Sequence, residues 1–140
     1  MRDISWVTSR QDEIYTAVKV RSEKSLKSKY PSVRFTQDDS AQLDAQFPTV
    51  YVQYLPGREL ASDTEADGVN AFQSDVEVDT TVSKAQGKTA AFKVANAVAA
   101  EYKRYGYIFR MMPRLVPTGN EATKQVSFRM SRNIGEEDNL

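Results

Sequence analysis

The chain has 140 residues, 40% of them hydrophobic, with 19 basic and 19 acidic side chains and neither histidine nor cysteine. This length suits one domain with one core. The missing residue types exclude disulfides, a thiolate nucleophile, cysteine-based zinc sites, and the commonest general base and metal ligand. Zero net charge hides a strong segregation. Residues 1–36 balance at +4, residues 37–80 at −9, residues 81–135 at +8 and the last five at −3. Blocks of this kind suit complementary faces that meet other copies of the chain, because electrostatics sets partner choice and register. Folding that interleaves the segments would instead even out the field. No apolar run approaches 18 residues, so no transmembrane helix is expected. The opening MRDISWVTSRQDE lacks the apolar region of a secretory signal.

Thr8 to Ser28 reads as a first helix, with Thr8 and Gln11 or Ser9 and Asp12 as its N-terminal cap. Ile14, Ala17, Val18 and Arg21 make an apolar stripe with a polar end, Leu26 comes later, and Tyr30-Pro31 ends the helix. Lys24, Lys27 and Lys29 crowd its C-terminal half, as the helix dipole favours. Ser32–Gln37 alternates Val33 and Phe35 with polar residues and predicts a short strand. Thr49–Leu55 (TVYVQYL) predicts a second, with Val50, Val52 and Tyr54 on one face. The acidic, aperiodic stretch 56–70 predicts a long loop of the kind that is functional or disordered. Ala71–Thr80 alternates strictly. Phe72, Ser74, Val76, Val78 and Thr80 share one face, and Gln73, Asp75, Glu77 and Asp79 the other, which predicts a sheet buried on one side only. The three carboxylates stand about 7 Å apart, too far to share a small cation without other ligands.

Ser83–Gly106 is the longest and best-bounded helical pattern. Ala85, Thr89, Phe92, Ala95, Ala99 and Tyr102 form its stripe, Ser83 and Gln86 a capping box, and Gly106 the left-handed residue past its end. Gly87 falls in the first turn and reads as a local weakness of about 1 kcal/mol. Tyr107–Val116 and Thr123–Ile134 predict a hairpin around Pro117–Asn120, with Val126, Phe128 and Met130 inward and Gln125, Ser127, Arg129 and Ser131 outward. Pro113 marks an edge or a bulge. Residues 1–7 and 135–140 are expected to fray. The order α-β-β-β-α-β-β predicts an α+β domain spanning 1–140, a mostly antiparallel twisted sheet of about five strands with both helices on one face.

This order of elements carries a resemblance. FPTVYVQYLPGRELASDTEADG has an aromatic-proline strand and a polar loop; NAFQSDVEVDT is a strand rich in valine and acid. SKAQGKTAAFKVANAVAAEYKRYGY closes on aromatic-glycine-aromatic, and VSFRMSRNI ends the hairpin. In these features, across nearly its whole length, the chain resembles the tail terminator (tail completion) proteins of long-tailed bacteriophages. Arg129 and Arg132 fit the family's paired arginines, but Asn133 stands where an aromatic is usual.

The resemblance implies a non-enzymatic virion protein without cofactor or metal, made in the host cytoplasm. It would form a homo-hexameric ring on the head-proximal end of the tail tube, stop tube polymerisation and meet the head-closure protein of the connector. Expected contact residues between copies or with partners are Glu59, Asp63, Glu65, Asp67, Asp75, Glu77 and Asp79 on the acidic side, with Arg58 as the one base among them. Arg110, Arg129 and Arg132 stand on the basic side. The same groups would alternatively pair within one chain across adjacent strands. A head-closure or adaptor protein is the nearest rival reading. A small nucleic-acid-binding module using Lys24, Lys27, Lys29 and Tyr51 or Tyr107 is another, against which stand the zero net charge and the lack of a basic-aromatic sheet motif. No membrane partner and no specific nucleic acid are expected.

Overall fold

The computed structural model describes residues 4–38, 47–60, 71–138 and 140. The elements are α1 (Trp6–Leu26), β1 (Arg34–Thr36), β2 (Thr49–Glu59), β3 (Ala71–Ser83), α2 (Gly87–Arg104), β4 (Ile108–Val116) and β5 (Thr123–Gly135). One five-stranded sheet has the order β1-β2-β3-β5-β4. Three of its pairings are antiparallel, as expected. The β1–β2 pairing is parallel, which makes the sheet mixed. The twelve residues between these two strands suffice to carry the chain back to the end where it started, as a parallel pair requires.

The sheet centre is β3 against β5, in unbroken register from Ala71↔Gly135 to Ser83↔Thr123. Both strands bury one face. Val76, Val78, Val82, Val126, Phe128, Met130 and Ile134 are all 0% exposed, packed under α2. Helix α2 lies close because its contact face is built of small residues: Ala91, Ala95 and Ala99 alternate with Val94 and Val98. Tyr102 completes that stripe, and Ala85 and Thr89 are exposed, so the buried face is rotated from the one expected. Helix α1 packs beside α2, burying Ile14, Val18, Ser22 and Leu26. It begins at Trp6, earlier than expected, with Trp6 set edge-on to Phe72 at 5.6 Å. Thr8 and Ser9 are therefore interior to the helix rather than its caps.

The ends of α2 show how local chemistry positions it. The two reciprocal bonds expected of a capping box form, Ser83 N–H donating to Gln86 Oε1 at 3.1 Å and Gln86 N–H to Ser83 Oγ at 3.3 Å, but they close the turn ahead of α2, whose N-cap Gln86 makes no side-chain cap bond. The helical ladder starts only after it, because Gly87 has φ +81°. Gly87 is thus the left-handed pivot between β3 and α2, not a weak helical residue. At the other end Gly106 has φ +83°. Its N–H donates to Lys103 O at 3.0 Å, and Tyr107 N–H to Tyr102 O at 3.2 Å, a Schellman closure. The Tyr102 and Tyr107 rings meet edge-to-face at 5.1 Å, supplying the apolar contact that this motif carries.

Two expectations about loops and ends change. Strand β2 runs on to Glu59 across an irregularity between Leu55 and Arg58. Gly57 is required there, since a Cβ would stand 2.8 Å from the Gln73 carbonyl oxygen. The loop therefore begins at Leu60, and residues 61–70 lie outside the described residues. The C-terminal end is tied down: Arg10 Nη2 donates to Glu136 O at 2.9 Å, Gly135 N–H to Asp138 Oδ2 at 2.9 Å, and Leu140 packs on the core.

Candidate functional site

With both helices on one side, the opposite face of the sheet has no helix over it among the described residues. The period of two along β3 sends Gln73, Asp75, Glu77 and Asp79 to this open face, each half-buried between flanking strands. Register brings their partners from β2 and β5. Glu77 stands between Gln53 and Arg129, and Asp79 between Tyr51 and Ser127. In β4, Ile108 stands opposite Ser131 and Phe109 opposite Met130, so alternation puts Arg110 on the open face as well.

The polar groups form specific pairs. Arg129 Nε donates to Glu77 Oε1 at 2.8 Å, across a position where the arginine is 52% exposed and the glutamate 19%. Gln73 Nε2 donates to Asp75 Oδ1 at 3.0 Å, and Arg58 Nη2 to Gln73 Oε1 at 3.2 Å. Gln125 Nε2 donates to Ser127 Oγ at 3.2 Å, which in turn donates to Asp79 Oδ1 at 2.5 Å. Arg110 Nε donates to Ser131 Oγ at 2.5 Å. Ser127 and Ser131 are buried although they face this open side, because the longer side chains around them lie over the sheet.

Burial pushes the Asp79 carboxyl up to about 6, and the Glu77 charge adds to the rise while the Ser127 hydroxyl opposes it. A hydroxyl bonded to such a carboxyl resembles the start of an acid–base pair. Ser127 is only 5% exposed, however, so the pair is a hydrogen bond inside the sheet surface rather than an open reactive centre. Each carboxylate of the ladder has its own partner, and among the described residues no cluster of three acidic groups converges on a metal position.

The structure therefore brings together Asp75, Glu77, Asp79, Arg110 and Arg129, with Arg58 at the margin. Arg129 meets Glu77 within one chain, the alternative to a contact between copies. Arg132 is separate. Three residues along a strand reverses the face, so it points to the helix side, where Nη1 donates to Tyr105 O at 2.6 Å and Nη2 pairs with Asp138 at 3.4 Å. Glu59 is exposed at the end of β2, opposite Phe72. Asp63, Glu65 and Asp67 lie outside the described residues. Tyr107 is 2% exposed, its hydroxyl 2.9 Å from Ser74 Oγ, which removes it as a stacking platform for a nucleic-acid base. Sequence reasoning did not single out Gln73, Ser127 and Ser131 as partners. Their outward positions in the alternation were the available signal.

Other concave surfaces are shallow. One of about 540 Å³ lies along the β4–β5 turn, lined by Leu115–Glu121 with Thr123 and Lys124. Another of about 300 Å³ joins Phe47, Thr49 and Thr81 to the same turn. The first has one acid and one base in its lining, Glu121 and Lys124, both exposed, and the second has no charged residue. Comparison of the sequence with protein-family models and with curated proteins finds no match.

Proposed function

We propose that this chain is a structural subunit of a bacteriophage tail, a terminator whose copies form a ring on the head-proximal end of the tail tube. The ring stops tube polymerisation and presents a surface to the connector of the head. Its partners are further copies of itself, the tail tube protein and the head-closure protein, and it carries out no reaction. The observation that carries this reading is the order α-β-β-β-α-β-β folded as one sheet with both helices on one side, since that order of elements is what the resemblance rests on. The segregated charge supports it further, since a closed ring joins one face of a subunit to a different face of the next.

Contacts between copies draw on charges other than the Glu77–Arg129 pair, which is already satisfied within the chain. Reversal of Arg129 and Arg132 together is a poor test of those contacts, because Arg132 also holds the C-terminal end of α2. The direct test adds purified protein to polymerising tail tube protein and measures tube lengths by negative-stain imaging. Shortened tubes with a ring at one end are expected, and an unchanged length distribution overturns the reading. Binding to head connectors without any effect on tubes identifies a head-closure protein instead. Salt-sensitive binding to DNA with neither of these identifies a nucleic-acid module.

A further inference from the structure

The sheet ends in two edges of different character. At one, β4 is hydrogen-bonded to β5 and to no other described strand. Among the described residues five large apolar side chains are exposed, and three of them, Ile108, Met112 and Leu115, stand on this one strand. Met112 is 65% exposed. Pro113 has no N–H to offer and the pairing with β5 shifts register at Phe109/Met111 and Met111/Arg114, so the strand is interrupted as a template, but its wet apolar side chains still mark an association surface. Its charges are exposed Arg110 and Arg114, and it contains no acid.

At the far edge, β1 covers only Thr49–Tyr51 of β2. From Val52 to Leu55, β2 pairs with β3 on one side and with no described strand on the other. A concavity of about 420 Å³ follows this stretch, lined by Gln11, Asp12 and Gln37 together with residues 51–56. Asp12 is the one charged residue in that lining.

We infer that the β4 edge is an association surface and that its occupant is the Val52–Pro56 edge of a second copy of this chain. Charge selects that occupant over a second β4. Antiparallel pairing of β4 with its own copy about Met112 sets Arg110 across from Arg114 twice, and like charges directly opposite are destabilising. The concavity beside Val52–Pro56 offers one acid, Asp12 of α1, and no base. Position selects it too. The two edges lie on opposite sides of one sheet, so a copy that uses its β4 leaves Val52–Leu55, unpaired on that side among the described strands, for the next. Such head-to-tail contacts close into a ring or run on as a filament. The inference names the contact that the ring proposed above would use, and in that respect rests on that reading.

The chain has no cysteine, so introduced ones report alone. Met112→Cys combined with Pro56→Cys is treated with a short bismaleimide. Within one chain β3 and β5 separate the two strands, three strand spacings of about 4.8 Å each, which a shorter linker does not span. The double variant is expected to give a ladder of covalent oligomers and each single variant monomer only. A covalent dimer from Met112→Cys alone overturns the assigned occupant, and the absence of any ladder overturns the contact. Met112→Asp changes an exposed side chain and leaves the unfolding midpoint in place, while raising the concentration for half-assembly at least tenfold. If that variant assembles as the parent does, the edge contact falls and the tail reading stands. If the parent forms the ladder but leaves tail tubes uncapped, the tail reading falls and the edge contact stands.

Discussion

Strand β3 has two faces, and they are held by different physics. On one, Val76, Val78 and Val82 are fully buried under α2 together with Phe128 and Met130 of β5. Burial of this kind is non-directional and scales with area, so the covered face supplies most of the stability. On the other face Asp75, Glu77 and Asp79 each find one directed partner, and the contributions are individually small. The same strand thus separates what holds the fold from what remains available for recognition. The covered face tolerates little change, and the open face can change its partners without losing the sheet.

Four experiments break or sharpen that comparison. The largest effect is expected from Phe128→Ala, which opens a cavity under α2 beside the edge-to-face Phe109 ring at 5.8 Å. It should lower stability by about 3–5 kcal/mol in urea unfolding. A loss below about 1 kcal/mol would mean that the covered face is not the main support. Gly87→Ala follows, with a loss of about 1–2 kcal/mol. A Cβ there meets nothing within 4 Å, so the whole cost is the backbone at φ +81°, and the residues of the covered face are untouched.

The third concerns the open face and pH. Asp79 holds its proton more tightly in the folded chain, up to about 6, than in the unfolded chain, near 4. Its contribution to stability is therefore complete below about pH 4 and is lost as the pH rises through 6. Asp79→Asn keeps an acceptor for Ser127 and removes the charge. At pH 7.5 it should raise stability by about 1 kcal/mol, after discounting for the carboxyl's partial contact with water, and flatten the pH dependence between 4 and 6. Unfolding midpoints across that range decide the point, and a variant less stable than the parent at pH 7.5 contradicts it.

The smallest effect belongs to Glu77 and Arg129. A double-mutant cycle with Glu77→Gln and Arg129→Gln should give a coupling of about 1 kcal/mol or less, weakening with added salt, because the arginine is half exposed. A coupling above about 2 kcal/mol would place the open face on the same footing as the covered one.

Much of this arrangement was legible in the chain. The alternation of Ala71–Thr80 assigned both faces of β3 correctly, and Val126, Phe128 and Met130 were read as inward. The left-handed Gly106 is legible from spacing alone, and so are the reciprocal Ser83–Gln86 bonds, although these close the turn before α2 rather than cap it. Gly87 was misread because the start of a helix and the turn before it share the same residue types, and only the backbone angle separates them. Arg129 and Arg132 were grouped by charge, yet a separation of three along a strand puts them on opposite faces, an inference the spacing already allowed. The open-face network was half legible. The acids were visible, but Ser127 and Gln73 became partners only through register between distant strands.

The sequence by itself determined the elements, their order and which side of β2, β3 and β5 turns inward. These depend on local periodicity, on caps and on turns, all within a few residues. The tertiary structure alone decided that β1 runs parallel to β2, that β5 lies between β3 and β4, and that β4 is left at an open edge. It also decided which base meets which acid. Those outcomes depend on how segments far apart in the chain bury a shared face, and no short window of residues contains that information.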